Sequence, residues 1–389
     1  MSSLLAQPAN FLFGRFNDES TANYPWLYNR RWDLVFLIFS ACLCVVPYST
    51  YLLFGGNETS RMLVNGLVTL LVAGPHTYAT FNRTLLNPDF RQRKRLFVGS
   101  SILIPFTVGF LIITNYVAML TAFFLMASVH ALHQVTYLND CYTKKSGIRQ
   151  SWWGWMIDFG VVFSSLYPWT VYKMMLGKFY VGPVQLWSPF NPGQFLHGQW
   201  WMVYAVFAAF AAFVIAFAVK SFLEWRKGIL NVPKTLLVAV TLPVMHFSPL
   251  VDNLDTAFQG INAWHSFQYL AITWFVIRRS EARNERQQYS LFNQFRASFA
   301  TLVQWIQAKV KGQSLTITPE QSTLMWTAAF YTFQLLMLPI SALGFIFAHV
   351  FFPNLPYPEQ YSYMMVLPIL LVHYYHDAFL FTQPESLTE

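Results

Sequence analysis

The chain has 389 residues, of which 55% are hydrophobic and only 11% are Asp, Glu, Lys or Arg. Soluble proteins carry about 25% of those charged residues, and a membrane-spanning helix needs about 20 mostly apolar ones, so the long apolar runs exclude a string of soluble domains. The net charge of +8 follows from Lys and Arg collecting in cytoplasmic loops and does not point to nucleic acid.

Residues 1–32 read as a cytoplasmic N-terminal segment. Their apolar stretch is short and broken by Pro8 and Asn10, unlike a cleaved signal peptide. Ten apolar segments follow, at 33–54, 62–82, 96–114, 117–138, 154–174, 201–222, 233–247, 258–277, 324–350 and 361–382. They predict one all-α domain over 33–382, a polytopic transmembrane helix bundle of about ten spans, with a tail at 383–389. The seventh segment is short and contains Pro243, so it is expected to span only part of the bilayer.

Charge tests this frame. With both termini cytoplasmic, 22 of the 25 basic residues fall on the inner side, and only Arg61, Lys173 and Lys178 fall outside. That is the partition expected of a multi-pass integral membrane protein, in the inner membrane if the cell is bacterial. Membrane lipids are then its immediate partners.

Two loops stand out. The outer loop 175–200 is rich in Pro, Gly and aromatic residues and reads as a cap. In the inner loop 280–323, Leu291, Phe292, Phe295, Phe299, Leu302, Val303, Ile306 and Val310 follow helical spacing. They predict an interfacial amphipathic helix over about 290–312, either a topological filler or a gate for a lipid-soluble substrate. The cysteines, Cys42, Cys44 and Cys141, form no CxxC motif, so neither a thiol-redox pair nor a c-type haem is indicated.

Of nine histidines, His197 and His349 lie in or near outer regions, and seven lie within the apolar segments. These are His76, His130, His133, His246, His265, His373 and His376. They stand 9–15 residues from charged residues flanking the inner ends of their segments, or roughly 14–23 Å along a helix. A lone intramembrane histidine is an ordinary interhelical hydrogen-bonding residue. Seven at one depth on five segments are the pattern of a site, and all seven are candidate metal ligands.

Imidazole suits Fe, Cu, Zn and Ni. The i,i+3 pairs His130/His133 and His373/His376 share a face and are expected to chelate one ion or two adjacent ions. Gln134, Tyr137, Gln268, Tyr269 and Asp377 lie within four residues of a candidate histidine and are expected to hold the ligands' second ring nitrogens.

Through the helices that carry HTY (76–78), HALHQ (130–134), HSFQY (265–269) and HYYHD (373–377), the chain resembles in character the histidine-rich membrane non-haem iron oxygenases. These are the alkane hydroxylases, fatty-acid desaturases and carotenoid-cleaving dioxygenases. Their HxxxH and HxxHH motifs are absent here, so only the reaction class carries over. The resemblance implies an oxidoreductase with one or two iron ions that activates O2 against a lipid-soluble, apolar substrate. Electrons would come from an external donor protein, since the sequence holds no flavin, dinucleotide or cysteine-cluster motif. The basic stretches Arg91–Arg95 and Lys144–Arg149 would suit an acidic donor.

Other readings use the same residues. Copper, zinc or haem would also accept imidazole, the last in a haem or haem-copper protein. A metal or proton transporter would string its histidines along a pathway. A pigment-binding subunit of a larger complex would use them singly.

Overall fold

The computed structural model describes residues 24–86, 94–251, 253–282, 290–311 and 319–382. Most of the N-terminal segment, Arg91 and Arg93 of the basic stretch, and the tail 383–389 lie outside the described residues. Among the described residues the fold is all-α, apart from one two-stranded hairpin of Tyr180–Val181 and Val184–Gln185.

The first rod, α1, runs over Arg30–Leu53. It passes through π-helical Asp33–Ile38 and 3-10 Phe39–Cys44 before settling into α-helix. The second, α2, runs as Glu58–Val68, a π-helical Thr69–Ala73, and Gly74–Arg83. Then come α3 (Lys94–Thr114), α4 (Tyr116–Lys145), α5 (Trp152–Ser164) and α6 (Tyr167–Met175). After the hairpin come α7 (Trp201–Arg226), α8 (Val232–Phe247) and α9 (Leu254–Ala282). The chain closes with α10 (Ser290–Lys311), α11 (Pro319–Leu335), α12 (Pro339–Phe351) and α13 (Glu359–Leu380).

Five stretches are long and apolar enough to cross a membrane: Arg30–Leu53, Arg95–Thr114, Tyr116–Lys145, Trp201–Arg226 and Ser322–Phe351. Two of the expected segments are divided. The segment 154–174 breaks between α5 and α6, just before Pro168, and 324–350 breaks between α11 and α12, just before Pro339. Proline has no N–H to give the preceding turn and crowds its carbonyl, so each helix restarts there.

Charged residues gather at opposite ends of the bundle. At one end, Arg61 of α2 pairs with Glu58 and with Asp255 of α9. Lys173 of α6 donates to the Val251 carbonyl at the same end, next to the end of α8. At the start of α8, about 24 Å away by helical rise, Asp158 of α5 accepts from Lys234 Nζ at 2.9 Å and Lys220 Nζ at 2.6 Å.

At two glycines the helices meet backbone to backbone. A Cβ on Gly260 of α9 would stand 2.5 Å from the Cys44 carbonyl of α1, and one on Gly344 of α12 would stand 2.5 Å from the Met364 carbonyl of α13. Small residues permit such backbone contact between helices where lipid leaves little hydrophobic drive. Pro368 lies four residues after Met364 and leaves that carbonyl without its helical donor, which is where α12 packs.

The chain enters α1 through Asp33, whose carboxylate accepts from the Leu27 N–H at 2.7 Å, the Tyr28 N–H at 3.1 Å and the Tyr142 hydroxyl at 3.0 Å. On α10, Phe292 is buried against Trp326 and Phe333 at 5.3 and 5.8 Å between ring centroids. Leu302, Trp305, Ile306 and Val310 beyond it are exposed.

Candidate metal centre

Four helices each send one histidine to the middle of the bundle: His76 from α2, His130 from α4, His265 from α9 and His373 from α13. All four are buried, and one ligand nitrogen from each lies within 4.8 Å of the others. The rings form a closed circuit. Centroid separations are 4.2 Å for His76–His373, 4.8 Å for His76–His265, 4.7 Å for His130–His265 and 5.0 Å for His130–His373.

Local backbone chemistry delivers His76. Pro75 cannot donate to the Leu71 carbonyl one turn earlier, and that carbonyl instead accepts from the Tyr331 hydroxyl of α11. The π-helical turn Thr69–Ala73 immediately precedes this point. Such turns are common at functional sites because they rotate the side chains that follow.

Ring nitrogens are the informative atoms. Both nitrogens of His76, both of His265, Nε2 of His130 and Nε2 of His373 are buried without a hydrogen-bond partner. A buried polar atom left unpaired costs about 1–3 kcal/mol, and one ion would take a nitrogen from each of the four rings, four of these six atoms. An ion with metal–nitrogen bonds of about 2.1 Å separates its ligand atoms by at most about 4.2 Å. The cluster would close onto one ion by movements of about 0.6 Å, well within side-chain adjustment, so the residues present fit a metal.

Beneath the histidines lies a polar layer. Each carries a polar residue four positions later: Thr80, Gln134, Tyr269 and Asp377. That spacing stacks them one turn on along the same helix face, where Thr80, Tyr269 and Asp377 meet. Asp377 Oδ1 accepts from the Tyr269 hydroxyl at 2.7 Å and from Thr80 Oγ1 at 2.8 Å. Thr80 Oγ1 also lies 2.6 Å from His373 Nδ1. Since Thr80 spends its one proton on Asp377, His373 donates from Nδ1, and its Nε2 lone pair faces the cluster. Asp377 Oδ2 has no hydrogen-bond partner and stands 3.9 Å from His130 Nε2. Gln134 Nε2 donates to the His265 carbonyl at 3.1 Å and to Gln268 Oε1 at 2.7 Å, and Gln268 Nε2 donates to the Leu37 carbonyl of α1 at 2.6 Å. Four positions before each histidine stand Val72, Met126, Ile261 and Ile369, all apolar.

The other three expected ligands lie elsewhere. His246 receives the Trp169 indole N–H on Nε2 at 3.0 Å and reaches the Ser165 carbonyl with Nδ1 at 3.2 Å. Both nitrogens are thereby occupied, and the ring stacks on Phe210 at 4.6 Å. His376 lies between Thr84 Oγ1 at 3.2 Å and Ser100 Oγ at 3.1 Å, facing α3. His133 is half-buried, with its ring edge on Phe381 at 5.4 Å. An i,i+3 step turns about 60° away and rises about 4.5 Å, so only one histidine of each pair reaches a site this compact. Tyr137 packs on Phe381 at 5.1 Å.

Thr80 and Tyr374, whose ring stacks on His130 at 4.1 Å, are the site residues that sequence reasoning missed. The i+4 polar partner shared by the four clustered histidines was the available signal for Thr80. Comparison of the chain with protein families, with curated proteins and with solved structures finds no match in any of the three.

Proposed function

We propose that the chain is a multi-pass integral membrane metalloprotein that holds one redox-active ion, iron in the first instance, at His76, His130, His265 and His373. In this reading it is an oxidoreductase that uses O2 to oxidise a lipidic substrate, with electrons from a separate donor protein. The observation that carries it is the set of buried, unpartnered ring nitrogens converging from four helices.

The donor set supports the metal class. Four neutral imidazoles with a single carboxylate nearby suit iron or copper better than a hard ion, which would want more oxygen. Four nitrogens on a six-coordinate ion leave two positions for O2 or substrate, whereas a tetrahedral zinc site would be closed. One ion fits the ring spacing better than two, because no pair of carboxylates is placed to bridge them. Rings in mutual contact leave no slot for a haem or pigment macrocycle. The four histidines gather at one point rather than along a pathway, which weighs against a transporter.

Metal analysis of the detergent-purified full chain tests the proposal. The expected result is about one iron per chain, with no haem absorbance band. Folded protein that carries no metal when purified and takes none up on reconstitution would overturn the site. Stoichiometric zinc would keep the site and overturn the oxygenase.

A further inference from the structure

We infer that the hollow between α5, α7 and α8 binds the phosphate headgroup and upper acyl chain of an anionic phospholipid. This rests on the membrane reading and is independent of the metal. The hollow has a volume of about 850 Å³. Its lining divides by chemistry, with Ile157, Ala212, Ile215, Ala216 and Val219 on an apolar flank and Arg149, Lys220, Lys227 and Lys234 at the other end.

Charge at that end is not balanced within the protein. Lys220 and Lys234 share Asp158, and Lys220 also lies 3.4 Å from Glu224. Four cations thus face Asp158 and Glu224, with Asp140 a third carboxylate near Lys234, and the cations stay in excess. Arg149 and Lys227 are exposed and, among the described residues, have no carboxylate partner. The order along α7 is that of a lipid, with Ile215 and Val219 preceding Lys220 and Lys227 toward the helix end.

Basic pockets between spanning helices take anionic headgroups. A free phosphate would use the cationic end and leave the apolar flank idle. Phosphatidylcholine would cover the flank but bring its own cation to a site already in excess of positive charge. The anionic phospholipid satisfies both halves.

The test is thermal unfolding of the full chain in a neutral detergent, titrated with dioleoyl phosphatidylglycerol, dioleoyl phosphatidylcholine or inorganic phosphate. Phosphatidylglycerol is expected to raise the Tm saturably, and the other two are not. The Arg149→Ala/Lys227→Ala double variant should unfold at the wild-type temperature without lipid, yet need more than about tenfold more phosphatidylglycerol for the same rise. Ala216→Phe, which fills the flank without touching a charge, should weaken the response as well. An equal rise from phosphatidylcholine or from phosphate, or an unchanged phosphatidylglycerol response in either variant, overturns the inference.

Discussion

Thr80 Oγ1 of α2 lies 2.6 Å from His373 Nδ1 of α13, and this contact sets which nitrogen of His373 faces the cluster. The groups that orient metal-bound histidines contribute about 10–100-fold to metal affinity. Thr80→Val keeps the side chain's shape and removes its hydroxyl. It is expected to leave the fold intact and to weaken metal retention by about that factor, read by competition with a chelator.

The four-ligand assignment separates the histidines sharply. His76→Ala and His265→Ala should each lose the metal. His246→Gln and His376→Gln should keep it, with a stability loss of about 1 kcal/mol for the hydrogen bonds disturbed. Metal content per chain, measured on protein of matched helicity, distinguishes the two groups. Loss of metal in His246→Gln would count against the geometry described.

Asp158 holds the buried Lys234 and the half-buried Lys220 at once, through Lys220 Nζ at 2.6 Å and Lys234 Nζ at 2.9 Å. Asp158→Ala strands Lys234, while Lys220 keeps Glu224 at 3.4 Å. Breaking a buried pair by removing one partner costs about 3–5 kcal/mol, so the variant should show a markedly lower unfolding temperature in detergent. Metal content of the surviving folded fraction should be unchanged, because the network lies at the bundle end away from the Arg61–Asp255 pair.

Glycine substitutions should split by what a new Cβ meets. Gly260→Ala places it 2.5 Å from the Cys44 backbone oxygen, whereas Gly66→Ala meets nothing within 4 Å. The first should destabilise by about 1–3 kcal/mol through overpacking. The second, inside a helix, should be neutral or stabilise by about 0.5–1 kcal/mol. Thermal unfolding of the pair reads the difference directly.

Glu58 gives a pH dependence. Its hydrogen bonds to Arg61 hold the carboxyl below its ordinary value. A depressed folded-state value means that the stabilisation is present at neutral pH and fades as pH falls through that value. Glu58→Gln should therefore lower stability at neutral and alkaline pH and converge on the wild type at acid pH, where Glu58 is protonated, so that the acid limb of the stability–pH curve is flatter.

The helical class, and the gathering of histidines from several helices, were legible in the sequence because apolar runs and helical rise are local quantities. The short α8 was legible for the same reason. What the sequence could not give was rotation about each helix axis. His130 and His133 look equivalent in the chain, and only packing decides that His130 turns inward. Hydropathy is also weakest where function is densest. Of the helices carrying the four clustered histidines, only that of His130 is among the five apolar enough to span by composition. α2, α9 and α13 instead give positions to Thr80, Gln268, Tyr269 and Asp377. Thr80 itself was passed over because a threonine in an apolar helix carries no signal until its partners are known.

The stacking of the site into layers gives it a direction. Val72, Met126, Ile261 and Ile369 lie on one side of the imidazoles, and Thr80, Gln134, Tyr269 and Asp377 on the other. A greasy molecule and a proton would therefore arrive by opposite doors. The single carboxylate, Asp377, is joined to the hydroxyls of Thr80 and Tyr269 on that second side only.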